Sequence, residues 1–238
     1  MAATIDLGGI RADVVLKDIK NVHLSVHPPN GHVRITAPRR MRIDTVRVFA
    51  VSKLDWIKRQ RARLREQARE TEREYVDRES HHVWGKRYLL TVIERDAPPS
   101  VEAARGRMWL RVRPGASVDK RRAVVEAWYR LQLKEAVPPL LERWEPKLGV
   151  KVERYFVQRM KTKWGSCNAS AGTIRLNSEL AKKPPECLEF VVLHELVHLL
   201  EPTHNARFLS LMDRFMPHWE AHRQTLNRLP VGREDWTY

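Results

Sequence analysis

The chain has 238 residues, 42% of them hydrophobic, and 44 Lys and Arg against 29 Asp and Glu give it a net charge of +15. That length and apolar content permit one domain or two small ones with a real core, and they exclude disorder. No membrane span is expected, because no run of about 18 uncharged apolar residues occurs. No signal peptide is expected either, since Asp6, Arg11, Asp13 and Lys17 interrupt the first twenty residues. Two cysteines, Cys167 and Cys187, cannot build a framework of several disulfides, so a reducing cytoplasm is the expected compartment.

Strands are predicted at 12–17, 22–27 and 32–37, with Pro28-Pro29-Asn30-Gly31 as a hairpin signal. Val33 and Ile35 alternate with Arg34 and Thr36, which gives one buried and one wet face. A long helix is predicted over about 44–74, with Val46, Phe49, Ala50, Leu54 and Ile57 as its apolar stripe. Its second half is basic, with Lys53, Lys58, Arg59, Arg61, Arg63 and Arg65 against Asp55, before acids return at Glu66 and Glu70. Such a run is either a solvated helix face or a patch for polyanions, and a pI near 10.3 draws nucleic acid or acidic surfaces without naming one.

Short strands are predicted between His81 and Arg113, then a helix over about 118–148 with a bend at Pro138-Pro139. A boundary is placed near Pro114, dividing a β-rich region over 1–114 from a helical catalytic region over 115–238. No internal repeat is evident in the residues. The expected fold class is α+β.

Residues 159–177 read as two strand-like arms around a turn-rich centre at Asn168–Gly172. On a strand, Arg159, Lys161 and Lys163 share one face and Met160, Thr162 and Trp164 the other. An edge strand here can hold an extended peptide by main-chain pairing, with Arg159 and Lys161 favouring acidic groups. Trp164, Gly165 and Ser166 are further candidates for substrate contact. A tryptophan is more often core, though, and a glycine more often a simple turn.

The chemistry concentrates at His194-Glu195-Leu196-Val197-His198, followed after five residues by His204. Residues i and i+4 of a helix lie on one face, so His194 and His198 can aim at one ion. Glu195 is turned about 100° from His194, within reach of water on that ion. On a straight helix His204 would lie about 240° round the axis from His198. Pro202 is expected to turn the chain back, with a second helix starting at Asn205-Ala206-Arg207-Phe208-Leu209. Three ligands leave a fourth position open, as in a catalytic rather than a structural zinc site. Cys187 is about 10 Å up the axis from His194, too far to bind the same ion.

Trp164-Gly165-Ser166-Cys167, Ile174-Arg175-Leu176-Asn177 and the stretch from His194 to Phe208 together resemble the YgjP-like metallopeptidase family, grouped with small zincins and SprT-like proteases. His32 to Pro38 and Leu54-Asp55-Trp56-Ile57 extend the resemblance to the N-terminal region. It implies a zincin-type catalytic part in which a hairpin or sheet packs on the HExxH helix. It further implies a zinc-dependent peptidase with one zinc ion per chain on His194, His198 and His204, Glu195 as catalytic acid and base, and a protein or peptide substrate. The ligand spacing is similar to that of metzincins, but Glu201 stands where their glycine would be.

For an oxyanion stabiliser the candidates are His218, His222 and Tyr155, and for orienting a ligand histidine Glu201 and Asp213. The main alternative is a nucleic-acid-associated protein, either a protease recruited to DNA or a binding module with an inactive zinc site. A latent enzyme with a plugged cleft is a third.

Overall fold

The computed structural model describes residues 2–27, 31–66, 73–160 and 163–228. They fall into two compact units, one of residues up to 66 and one from residue 73 onward. Each has its own hydrophobic cluster.

In the first unit, strands β1 (Ala2–Asp6), β2 (Arg11–Lys17), β3 (His23–His27) and β4 (His32–Pro38) form a sheet in the order β1-β2-β4-β3. The inner pair β2/β4 is parallel and both outer pairs are antiparallel. Ala12, Val14, Val33 and Ile35 supply the buried face, as their alternation predicts. The predicted long helix is two helices, α1 (Ile43–Ser52) and α2 (Leu54–Glu66), separated at Lys53, whose N–H donates to Ala50 O. Val46, Ala50 and Ile57 bury against the sheet residues. Residues 28–30 of the hairpin signal and 67–72 of the predicted helix lie outside the described residues.

The second unit contains β5 (Ser80–Val83), β6 (Lys86–Glu94), β7 (Ser100–Ala104) and β8 (Arg107–Val112) in the order β5-β6-β8-β7. Here too the inner pair is parallel and the outer pairs antiparallel. Each sheet is followed by a helix, so one four-strand topology occurs twice where the residues show no repeat. Helix α3 (Val118–Leu148) begins at the predicted residue, capped by Ser117 Oγ accepting from Lys120 N, and stops at Gly149 in the left-handed region at φ 66°. Pro138 and Pro139 lie inside it and it remains one element. Val125, Tyr129, Leu133 and Val137, each four residues after the last, form its buried stripe.

The composition predicts a boundary at Pro114, but the second unit already includes β5–β8. Their inward residues Leu90, Met108, Leu110 and Val112 share one core with α3 and with the helix that follows. A three-stranded sheet completes this unit, β10 (Gly165–Asn168), β11 (Thr173–Asn177) and β9 (Arg154–Gln158), with β11 in the middle, antiparallel to β10 and parallel to β9. Helix α4 (Pro185–Val197) lies against β10, β11 and α3. It is buried on nearly every side, from Cys187 and Leu188 to Leu196 and Val197, as a central helix must be. Helices α5 (Ala206–Phe215) and α6 (Trp219–Arg228) pack against it. The fold is α+β, and among the described residues no helix is long and apolar enough to cross a membrane.

Candidate metal centre

His194 sits in the last turn of α4 and His198 caps it. Glu201 N then donates to Val197 O, the chain turns through Pro202, and Asn205 N donates to Thr203 O. Asn205 caps α5, its Oδ1 accepting from Phe208 N at 3.0 Å. The turn brings His204 back over the end of α4. Phe208 lies beneath all three imidazoles, its ring 4.7–5.0 Å from theirs.

The three Nε2 atoms form a triangle with edges of 3.2 Å for His194–His198, 3.1 Å for His198–His204 and 3.1 Å for His194–His204. A tetrahedral zinc with bonds of about 2.0–2.1 Å holds its ligands about 3.3 Å apart, so the triangle has the size of one face of such a site. The tautomer of His198 follows from its other nitrogen. Nδ1 lies 3.0 Å from Glu201 O, and a carbonyl only accepts, so Nδ1 carries the proton and Nε2 presents a lone pair to the centre. Burial first, then His198, His204 and Arg223, pushes His194 down to about 3. Burial, His198 and Arg223 lower His204. Neutral imidazoles are what a metal requires. Among the described residues these three are the one group of His, Cys, Asp and Glu able to hold an ion together.

Glu195 is 4% exposed, and its Oε2 has no hydrogen-bond partner among the described residues. Burial pushes its carboxyl up to about 8, against a lowering by Lys163. The buried Nδ1 of His194 also lacks a partner there.

A family model described as YgjP-like, metallopeptidase domain, matches residues 20–229. The chain belongs to the YgjP-like family. It is thus a metallopeptidase-family protein, and the histidine triad is its candidate metal centre. No curated protein matches the YgjP-like chain in sequence. Among solved structures it is similar to the metallopeptidase zymogen abylysin of Pyrococcus abyssi, at 23% identity over 40% of this chain and 99% of that one, with a TM-score of 0.36. The zymogen jannalysin of Methanocaldococcus jannaschii is similar at 18% identity over 38% and 87%, with a TM-score of 0.35.

The segment before the metal helix departs from its predicted form. Arg159 and Lys163 lie outside the strands, because β9 ends at Gln158 and β10 begins only at Gly165. Asn177 takes the place of a strand partner: its Nδ2 donates to Met160 O and Lys163 O, both at 2.8 Å, and its Oδ1 accepts from Met160 N. Arg159 Nη1 is 2.8 Å from Glu126 Oε1 on α3, an ion pair rather than a free substrate contact. Lys161 lies outside the described residues. Trp164 packs half-buried against the core, with Lys183 Nζ 5.7 Å from its ring centroid. Ser166 is half-buried on β10, and among the described residues β10 pairs only with β11.

The proposed orienting and oxyanion residues are also redistributed in the YgjP-like chain. His198 is oriented by the backbone carbonyl of Glu201, while its carboxylate accepts from Thr203 Oγ1. Asp213 accepts from Trp219 Nε1 at 2.7 Å. Tyr155 donates to Lys134 O. His218 is exposed just before α6, and His222 half-buried on it. Sequence reasoning missed Asn177 as the partner of Met160 and Lys163, and Arg223, whose charge reaches two of the three histidines. The signal for Asn177 was an amide directly after Leu176 at the end of a strand-like arm.

Proposed function

We propose that the protein hydrolyses peptide bonds in protein substrates, with one zinc ion on His194, His198 and His204 and Glu195 as general base. The Nε2 triangle of 3.1–3.2 Å edges carries this reading, because it fits a three-histidine ion and leaves a position open. A zinc ion held there supplies Lewis acidity, making water deprotonable near neutral pH and drawing electron density from a peptide carbonyl. Glu195 takes the proton of the attacking water on its unpartnered oxygen and returns it to the departing amine. Phe208 and the cap at Asn205 hold the imidazoles in place. The outer edge of β10 offers main-chain groups to an extended peptide at Gly165 and Ser166. Both cysteines are free thiols, which suits the cytoplasm.

The test combines metal analysis by mass spectrometry with cleavage of labelled casein. Wild type should hold about one zinc, His204→Ala should lose most of it, and Glu195→Gln should keep it while turnover falls by at least about 100-fold. Full cleavage by Glu195→Gln would sink the assigned role.

A second reading, a peptidase that works on nucleic-acid-bound protein, is supported by α1 and α2. Arg47, Lys53, Lys58 and Arg59 are exposed there around Trp56, itself 37% exposed. Retention on immobilised DNA should fall steeply as salt rises, and no retention at low salt would remove this reading.

A further inference from the structure

Gly165 opens β10, paired with Leu176 of β11. Its backbone is not in the left-handed region, so the conformational freedom of glycine is not what the position uses. What it uses is the absence of a side chain. A Cβ placed on Gly165 would lie 2.8 Å from Glu195 Cγ and 2.9 Å from Glu195 Cδ, and closer still to Oε1. Those three atoms, all of Glu195, are the nearest it would meet.

The backbone is held on both sides of the contact. Glu195 is held on a helix whose neighbouring residues Leu193, Leu196 and Val197 are fully buried. The start of β10 is fixed by Asn177, whose N–H donates to Trp164 O at 2.9 Å and whose side chain grips Met160 and Lys163. Cys167, two residues on and therefore on the same strand face, is raised to about 11 by burial and then by Glu195, which agrees with that face looking onto the carboxylate.

We propose that Gly165 is a positioning residue for Glu195: the bare backbone of β10 forms the seat that fixes where the carboxylate stands. A methyl group there would force the carboxylate out of its place while leaving the three histidines on α4 and its following turn untouched. The consequence for turnover rests on the peptidase reading above, whereas the contact does not.

The experiment is a double-mutant cycle of Gly165→Ala and Glu195→Ala, read by thermal melting and by zinc content. Gly165→Ala should lower Tm by several degrees in the wild-type background. In the Glu195→Ala background the same change should leave Tm unaltered or slightly higher, because the atoms it would strike are gone and alanine restricts the unfolded chain. Equal losses in the two backgrounds would overturn the proposal. If Gly165→Ala alone does not fold, a folded double variant supports the seat and an unfolded one overturns it. In the folded single variant, zinc should remain at the wild-type level, with kcat on a labelled peptide down at least about 100-fold and KM unchanged within about two-fold. An unaltered kcat would also overturn it. A zinc-loaded wild type that cleaves nothing would instead sink the peptidase reading, and the Tm cycle would decide the contact alone.

Discussion

A buried primary amide can do what no other side chain of its size can, and Asn177 uses that capacity in full. Its NH2 group serves two carbonyls, and its oxygen accepts from Met160 N and Glu179 N. Asn177→Asp keeps the shape and the accepting oxygen but leaves Met160 O and Lys163 O facing a carboxylate. That should cost roughly 2–4 kcal/mol, read as a lower urea midpoint with unchanged m-value. A second residue makes stability depend on pH. His81 is 1% exposed, with Nε2 2.7 Å from Glu79 Oε1. Burial, then Arg73, lowers its proton affinity more than Glu79 raises it. The unfolded histidine binds a proton near its usual pKa of about 6.5 while the folded one stays neutral, so the unfolded state gains protons first as pH falls. The stability from this group is complete above that pH and is lost as pH drops through it. Tm should therefore fall between pH 7.5 and 5.5, and by less in His81→Phe. Equal falls in the two proteins would clear His81 of the effect.

At the scale of elements, the candidate metal centre depends on how α4 ends and α5 begins. Asn205 caps α5 directly after His204, so the cap sets the position of a candidate ligand as well as the stability of a helix. Asn205→Ala should cost about 1 kcal/mol and weaken zinc retention against a chelator, whereas Asn205→Asp should preserve both. An Asn205→Ala protein that holds zinc as tightly as wild type would show that His204 is placed without the cap. These two helices and the reversal at Pro202 were legible in the sequence because each is set by neighbouring residues: histidines four apart, a proline, an Asn cap. So were both ends of α3, predicted at about 118 and 148. The clamping of Met160 and Lys163 was not legible, since their partner is the side chain of Asn177, more than a dozen residues away. The break at Lys53 was hidden by an apolar stripe that continues in phase from α1 into α2. The repeated sheet topology escaped notice because it resides in strand pairing, and pairing leaves little trace in residue identity.

For the whole molecule, the decisive fact is that two hydrophobic clusters share no residue. One runs from Ile5 to Ile57, the other from Tyr75 to Leu226. The three histidines belong to the second unit, so a ligand bound to them stabilises that unit by mass action. At a free zinc concentration about 1,000 times Kd the gain is about 4 kcal/mol. Calorimetry of the zinc-loaded protein should accordingly show two transitions rather than one two-state melt. Removing zinc with a chelator should lower the transition of the histidine-bearing unit by several degrees and leave the other in place. His204→Ala should melt like the chelated wild type and no longer respond to the chelator. If chelation shifted both transitions equally, or if one transition moved as a whole, the two cores would be acting as a single cooperative structure.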